Sequence, residues 1–375
     1  MKMRMSHVCL AALPLGVLSS TPLIADDGAQ AKAAFVMTNS AEKNEVLSFM
    51  RTEDGSLQEF RHFGTGGRGS GGTTDPLQSQ GALTISRDNA WLFAVNAGSG
   101  ELSVFRMHGA DLELADRESV DGSEPVSVAQ SGNLVYVANA GGTSNVVGFW
   151  LRNGHLEEIQ HSTRFLSTTG AGPGSVAFSP NGKWLAVVEK ATNSIDIFAV
   201  QTDGTLSQRV STPSAGPGAF AAQFAPNGPL LVSETGPSGV PNSSAISSYA
   251  VQADGTLKVI SASLPTLAAA NCWNAITPDG RFVYTGNSGS SNASGYVIGA
   301  DGTLTPLPGT IVGSNPAAAI NIDMNISADG KFLYTLNTGN GTVGIFAIQK
   351  DGTLVGLGDA QGLSAKAGFQ GIAAN

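Results

Sequence analysis

Four stretches, "TDGTL" (202–206), "ADGTL" (253–257), "ADGTL" (300–304) and "KDGTL" (350–354), decide the fold. Three looser copies precede them: "EDGSL" (53–57), "GADL" (109–112) and "NGHL" (153–156). Their leucines are Leu57, Leu112, Leu156, Leu206, Leu257, Leu304 and Leu354, separated by 55, 44, 50, 51, 47 and 50 residues. Asp-Gly between alternating apolar runs is a hairpin signal, because a two-residue primed turn needs the positive φ that Gly and Asn tolerate. A near-constant step of this size marks a repeated supersecondary unit.

A second turn signal lies upstream in most copies: "SRDNAW", "QSGNL", "SPNGKW", "APNGPL", "TPDGRF" and "SADGKF". Each leads into a β-rich run such as "WLFAVN", "LVYVAN" or "FLYTLN", then a run ending near Phe, then the DGTL turn and a last strand. That is four short antiparallel strands per repeat, with no helical periodicity after the N-terminal segment. A lone four-stranded sheet cannot bury both faces, so the units must pack around an axis. The expected fold is all-β, a seven-bladed β-propeller of four-stranded antiparallel blades. "AFVMTN" (34–39) reads as a second strand with no first strand before it, and "GFQGIAAN" (368–375) reads as a first strand with nothing after it. The C-terminal strand is therefore expected to complete the N-terminal blade.

The chain has 375 residues, 48 of them glycine, and only 13% are charged. Residues 1–31 read as a signal peptide: Lys2 and Arg4 precede the apolar "VCLAALPLGVLSSTPLIA" (8–25), with cleavage near Ala25 or Ala31. Pro14 and the short apolar run argue against a spanning helix. Residues 32–375 then form a single domain, exported to the periplasm or extracellular space, with no stable membrane insertion after processing. The cut removes two basic and two acidic residues, so the net charge stays at −9. That acidity disfavours nucleic acid. Cys272 has no partner once Cys9 is lost, so no disulfide is expected. His62, His108, His155 and His161 offer no metal-ligand spacing, so neither metal nor cofactor is expected. Gly64, Gly66 and Gly69 match a dinucleotide fingerprint only formally, because no helix follows. A monomer is expected.

Aligning the second strands puts Asn39, Asn96, Asn139, Glu189, Glu234, Asn287 and Asn337 at one position. Asn there suits a strand that turns, since it tolerates left-handed backbone. Glu does not. The blade connections on that face are long and irregular, whereas the opposite face carries short turns, so a pocket is expected at the axial mouth on the loop side. Glu189 and Glu234 would reach it from adjacent blades as candidate catalytic carboxylates. The innermost strands add Gln80, Asn271, Trp273, Asn274, Asn321 and Asp323 as candidate substrate-binding residues, with Lys190 beside them. Cys272 and Gln370 lie on the same strands, and ordering channel water is the plainer reading of such amides.

These motifs, with "SQGALTISRDNAWLFAVNAGSGELSVF" (79–105) and "GPGSVAFSPNGKWLAVVEKATNSIDIF" (172–198), resemble the β-propeller lactonase family, which includes 6-phosphogluconolactonase-like proteins and carboxymuconate cyclases. The resemblance covers the chain after residue 31. It implies a small-molecule lactone or sugar-like partner and a site of one His, one Arg and a nearby Glu. Glu234 matches the acidic position. Gly174 stands where the His would be, Gly218 where the Arg would be, and Ser288 where a further Arg is common. Three functions follow in order: an exported lactonase-like hydrolase opening a sugar-derived lactone, a catalytically silent propeller binding a ligand, glycan or protein on its loop face, and a muconate-type cycloisomerase.

Overall fold

The computed structural model describes residues 31–375. Apart from Ala31, the expected signal segment and its cleavage sites lie outside these residues. The described chain is all strand, arranged as seven antiparallel sheets that make the seven blades of a propeller. Blade 1 has the strand order Gln370–Ala374, Ala33–Met37, Glu45–Arg51, Leu57–Gly64, so the last strand of the chain is its innermost. The ladder pairs Ala34 with Ala374, Phe35 with Ala373 and Val36 with Ile372. The expected closure holds.

The inner strands of blades 2 to 7 are Leu83–Ile85, Ser123–Ser131, Pro173–Phe178, Ala219–Phe224, Asn271–Ile276 and Asn321–Ile326. In blade 3 the outer edge is split, because His155–Glu158 and Arg164–Phe165 both pair with Asn145–Arg152. Apolar side chains from facing sheets fill the gaps between blades, among them Phe93, Phe105, Phe149, Phe198 and Tyr284, all almost fully buried. Each such side chain contributes roughly 1.5–3 kcal/mol.

The DGTL turn differs from the expected two-residue form. Gly204 N–H donates to Gln201 O and Gln201 N–H to Thr205 O, and of the three loop residues only Gly204 has positive φ (+83°). This is a three-residue hairpin with glycine in the left-handed position. Asp203 Oδ1 accepts from both Thr205 N and Thr205 Oγ1, and Asp254, Asp301 and Asp351 repeat the pattern. The turn also binds the neighbouring blade. Tyr136 donates its hydroxyl to Gly204 O, Tyr284 to Gly352 O and Tyr334 to Gly55 O. One short motif thus folds its own hairpin and latches the preceding blade.

Candidate functional site

The shared position at the end of the second strand is a tie to the incoming connection between blades. Asn96 accepts from Thr65 Oγ1 at 2.6 Å, Asn139 donates to Val120 O at 3.3 Å, and Asn337 donates to Asn315 Oδ1 at 3.2 Å. Asn287 acts one step removed, through Ser294, whose hydroxyl donates to Thr266 O. Only Asn39 has the expected positive φ (+51°). The other asparagines lie in regular strand, so the reason for Asn is its side-chain hydrogen bonding.

Glu189 and Glu234 fit this scheme. Glu189 accepts from Ser167 N at 2.7 Å, from the Ser167 hydroxyl, and from Thr192 Oγ1 at 2.7 Å, with Arg209 Nη1 at 3.4 Å. Glu234 accepts from Ser214 Oγ at 2.9 Å and from Gly216 N, Ser247 Oγ and Ser263 Oγ, each at 2.8 Å. Both connections offer donors, and a carboxylate only accepts. Both side chains are fully buried. The expectation that they face a shared opening is therefore corrected: each is enclosed in its own blade. Burial pushes the Glu189 carboxyl up, but hydrogen bonds from Asp196, Ser167 and Thr192 outweigh it and hold it below its ordinary range. Asp196 moves the other way, to about 8, through burial and then the adjoining Glu189.

The axis is closed on the loop side. Gln80, entering blade 2, donates Nε2 to Asn274 O in blade 6 at 2.7 Å and accepts from Asn274 N at 3.3 Å. Trp273 donates Nε1 to Ser79 O at 3.0 Å, and Phe220 packs edge-on to its ring at 5.3 Å. Gln80, Trp273 and Asn274 thus come together as a plug. Asn271 and Asn321 do not join it; they donate to Ala245 O and Asn292 O in the preceding blades. Asp323 lines a cavity on the other side of the plug.

Lys190 covers the outer surface of the plug. Its ammonium donates to Gln78 O and lies 5.2 Å from the centre of the Phe220 ring. Beside it, Asp75 Oδ1 accepts from Gln370 Nε2 at 3.0 Å and Gln78 N at 3.1 Å. Burial lowers Lys190 to about 8, against the opposing charge of Asp75, and raises Asp75 to about 6, against the Gln370 hydrogen bond and the Lys190 charge. Burial likewise pushes the Cys272 thiol well above its ordinary range, so it is inert as a nucleophile. Asp75 was missed in the sequence, although it is the only carboxylate in the long connection 64–80.

The glycines at the family's basic positions are held by packing. A Cβ on Gly174 would lie 1.8 Å from Phe220 O and 3.3 Å from Lys190 Cγ. A Cβ on Gly218, whose φ is +78°, would lie 2.0 Å from Thr235 Oγ1. Neither site can hold His or Arg without moving backbone or its neighbour, and Lys190 brings a cation to the same place from the adjacent strand end. A loop-face groove of about 860 Å³ is lined by Pro217, Gly218, Pro237, Val240, Ala269 and Ala270 among others. Gly218 and Ala270 lie two residues along the chain from Phe220 and Cys272.

The family model "Lactonase, 7-bladed beta-propeller" matches residues 28–164 and 126–224. The chain is 24% identical over 245 residues to a 6-phosphogluconolactonase of Enterobacter sp. (strain 638), covering 62% of this chain and 72% of that one. Among solved structures it resembles the periplasmic gluconolactonase PpgL of Pseudomonas aeruginosa (TM-score 0.66, 18% identity, 90% of this chain and 98% of that one). It also resembles a functionally unknown protein of Desulfotomaculum acetoxidans DSM 771 (TM-score 0.68, 15% identity, 91% and 98%). At these identities the structural likenesses speak for the fold alone.

Proposed function

We propose that this chain, which belongs to the lactonase family of seven-bladed β-propellers, hydrolyses a sugar-derived or related lactone at the loop-side mouth, with Lys190 and Asp75 as the working pair. The observation that carries this is the placement of Lys190 beside Gly174, next to a half-buried carboxyl at Asp75. Opening a lactone needs a base for the attacking water and a partner for the negative charge on the carbonyl oxygen. Asp75, ionised above about pH 6, takes a proton as the water oxygen adds to the carbonyl carbon. Lys190, charged below about pH 8, stabilises the oxyanion. Collapse breaks the ring C–O bond, and the proton on Asp75 passes to the departing ring oxygen, giving a hydroxy acid. The groove at Gly218 and Ala270 has room for the body of the substrate.

The test is a panel of phosphorylated and unphosphorylated aldonolactones. Lys190→Met is expected to lower kcat/KM by roughly 100- to 1,000-fold, the scale of losing one oxyanion donor. Wild-type kcat/KM should be bell-shaped in pH with limbs near 6 and 8, and Asp75→Asn should abolish the acid limb. Unchanged turnover in both variants would sink the assignment. The closed plug, with Trp273 1% exposed, favours a second reading, a silent binding propeller; no turnover across the panel would support it. The muconate reading lacks the cations at 174 and 218 that would hold two carboxylates. Export to the periplasm or extracellular space belongs to the same proposal. It predicts a processed N-terminus near Ala25 or Ala31 in protein recovered outside the cytoplasm.

A further inference from the structure

The plug divides the axis, and the half beyond it forms a chamber reaching the short-turn face. Two adjoining cavities of about 260 and 230 Å³ share Gln80, Gly81, Thr84, Ile85, Arg87 and Gln223. Two of the lining residues are ionisable, Arg87 and Asp323, the latter raised by burial to about 8 so that an incoming cation is what would ionise it. Asp323 sits on an inner strand, 3% exposed, two residues from the plug-side end at Asn321. Arg87 sits at the rim, in the turn after Ile85. Among the described residues neither has a counter-ion within 4 Å: Asp323 accepts only backbone N–H from Met324 at 2.8 Å and Ile372 at 3.2 Å, and Arg87 donates to Pro180 O at 3.0 Å. Buried carboxylates are normally paired. As an anion Asp323 lacks a cation, and as an acid it lacks an acceptor.

A buried carboxyl without a cation and a guanidinium lining one chamber suit a ligand that carries both an ammonium and a carboxylate. The walls between include Ile85, Met324 and Ile372 beside the amides of Gln223 and Asn325. We infer that this chamber is a binding site for a small ω-amino carboxylate, with its ammonium on Asp323, its methylenes against the aliphatic wall and its carboxylate on Arg87. The site is independent of the lactone chemistry on the opposite face.

The experiment is isothermal titration of the full chain with 6-aminohexanoate and with lysine, against hexanoate and hexylamine as single-charge controls. Binding of either zwitterion, with both controls weaker by about tenfold or more, is expected, since each end makes a charge-assisted contact. Asp323→Asn should weaken the zwitterion by about tenfold or more, and so should Arg87→Gln, a change in an exposed turn that leaves the fold intact. Lactone turnover by Arg87→Gln should equal wild type. No binding of either zwitterion, controls that bind as well, or wild-type affinity in Arg87→Gln would each overturn the assignment, leaving a water-filled chamber.

Discussion

Glu189 and Glu234 show how one substitution in a repeat is read by its surroundings. At five blades the position is an amide; at two it is a carboxylate, because Ser167, Ser214 and Gly216 present N–H and O–H groups. Glu234→Gln would set an amide NH₂ against donors and should cost about 2–3 kcal/mol of stability, read from a urea midpoint, with the pH profile of turnover unmoved. Asp196 makes a second residue-scale prediction. Its folded pKa, about 8, lies above the ordinary carboxyl value, so the stability linked to its proton is fully present below about pH 4 and is lost as pH rises through 8. Asp196→Asn should narrow that loss, and the stability difference from wild type should move in the variant's favour between pH 5 and 8. Glu189 shifts downward, so its contribution is present above its ordinary value and lost on acidification.

At the scale of the element, the DGTL hairpin carries more than its own turn. Its glycine needs positive φ, its Asp caps the following Thr, and its glycine carbonyl receives a tyrosine hydroxyl from the preceding blade. In Gly204 the requirement is doubled, since a Cβ would also lie 2.6 Å from Trp150 Cζ2. Gly204→Ala should therefore cost about 2 kcal/mol, above the ~1 kcal/mol of the left-handed backbone alone. Tyr136→Phe, which removes the hydroxyl bonded to Gly204 O, should cost about 1 kcal/mol. Thermal unfolding of both variants reads the difference. The hairpin itself was legible in the sequence because turn chemistry is local. The tyrosine latch was not, since its partners are 68 residues apart at Tyr136 and Gly204 and at Tyr284 and Gly352.

For the whole molecule, the weak point of a ring is its seam. Blade 1 joins the two ends of the chain, and Asn375 adds its own clasp, accepting from Ala33 N through Oδ1 and donating its N–H to Ala33 O. Between blades 7 and 1, Arg51 grips Asp329 with both guanidinium nitrogens at 3.1 and 2.9 Å, and Lys32 adds a third contact at 3.0 Å. Burial would raise Asp329, but these partners hold it far below the ordinary carboxyl range. The pair therefore stabilises the seam above about pH 4 and fails as pH falls further. Asp329→Asn leaves Arg51, almost wholly buried, without a counter-ion and should cost about 2–3 kcal/mol by denaturant unfolding at pH 7.

Sequence by itself determined the number of blades, the strand order within each and the closure by residues 370–374, because period, turn chemistry and apolar alternation are all written locally. It also put Gln80, Trp273 and Asn274 on inner strands, since those positions recur with the repeat, but it grouped Asn271, Asn321 and Asp323 with them, which the structure keeps out of the plug. Tertiary structure alone decided that Glu189 and Glu234 are enclosed, that Gln80 closes the axis against Asn274, and that Asp75 stands beside Lys190. The carboxylates are enclosed by their own blade and the connection entering it, whereas the other two outcomes depend on groups from different blades meeting. A side chain's partners there are set by how seven sheets pack, which no single repeat encodes.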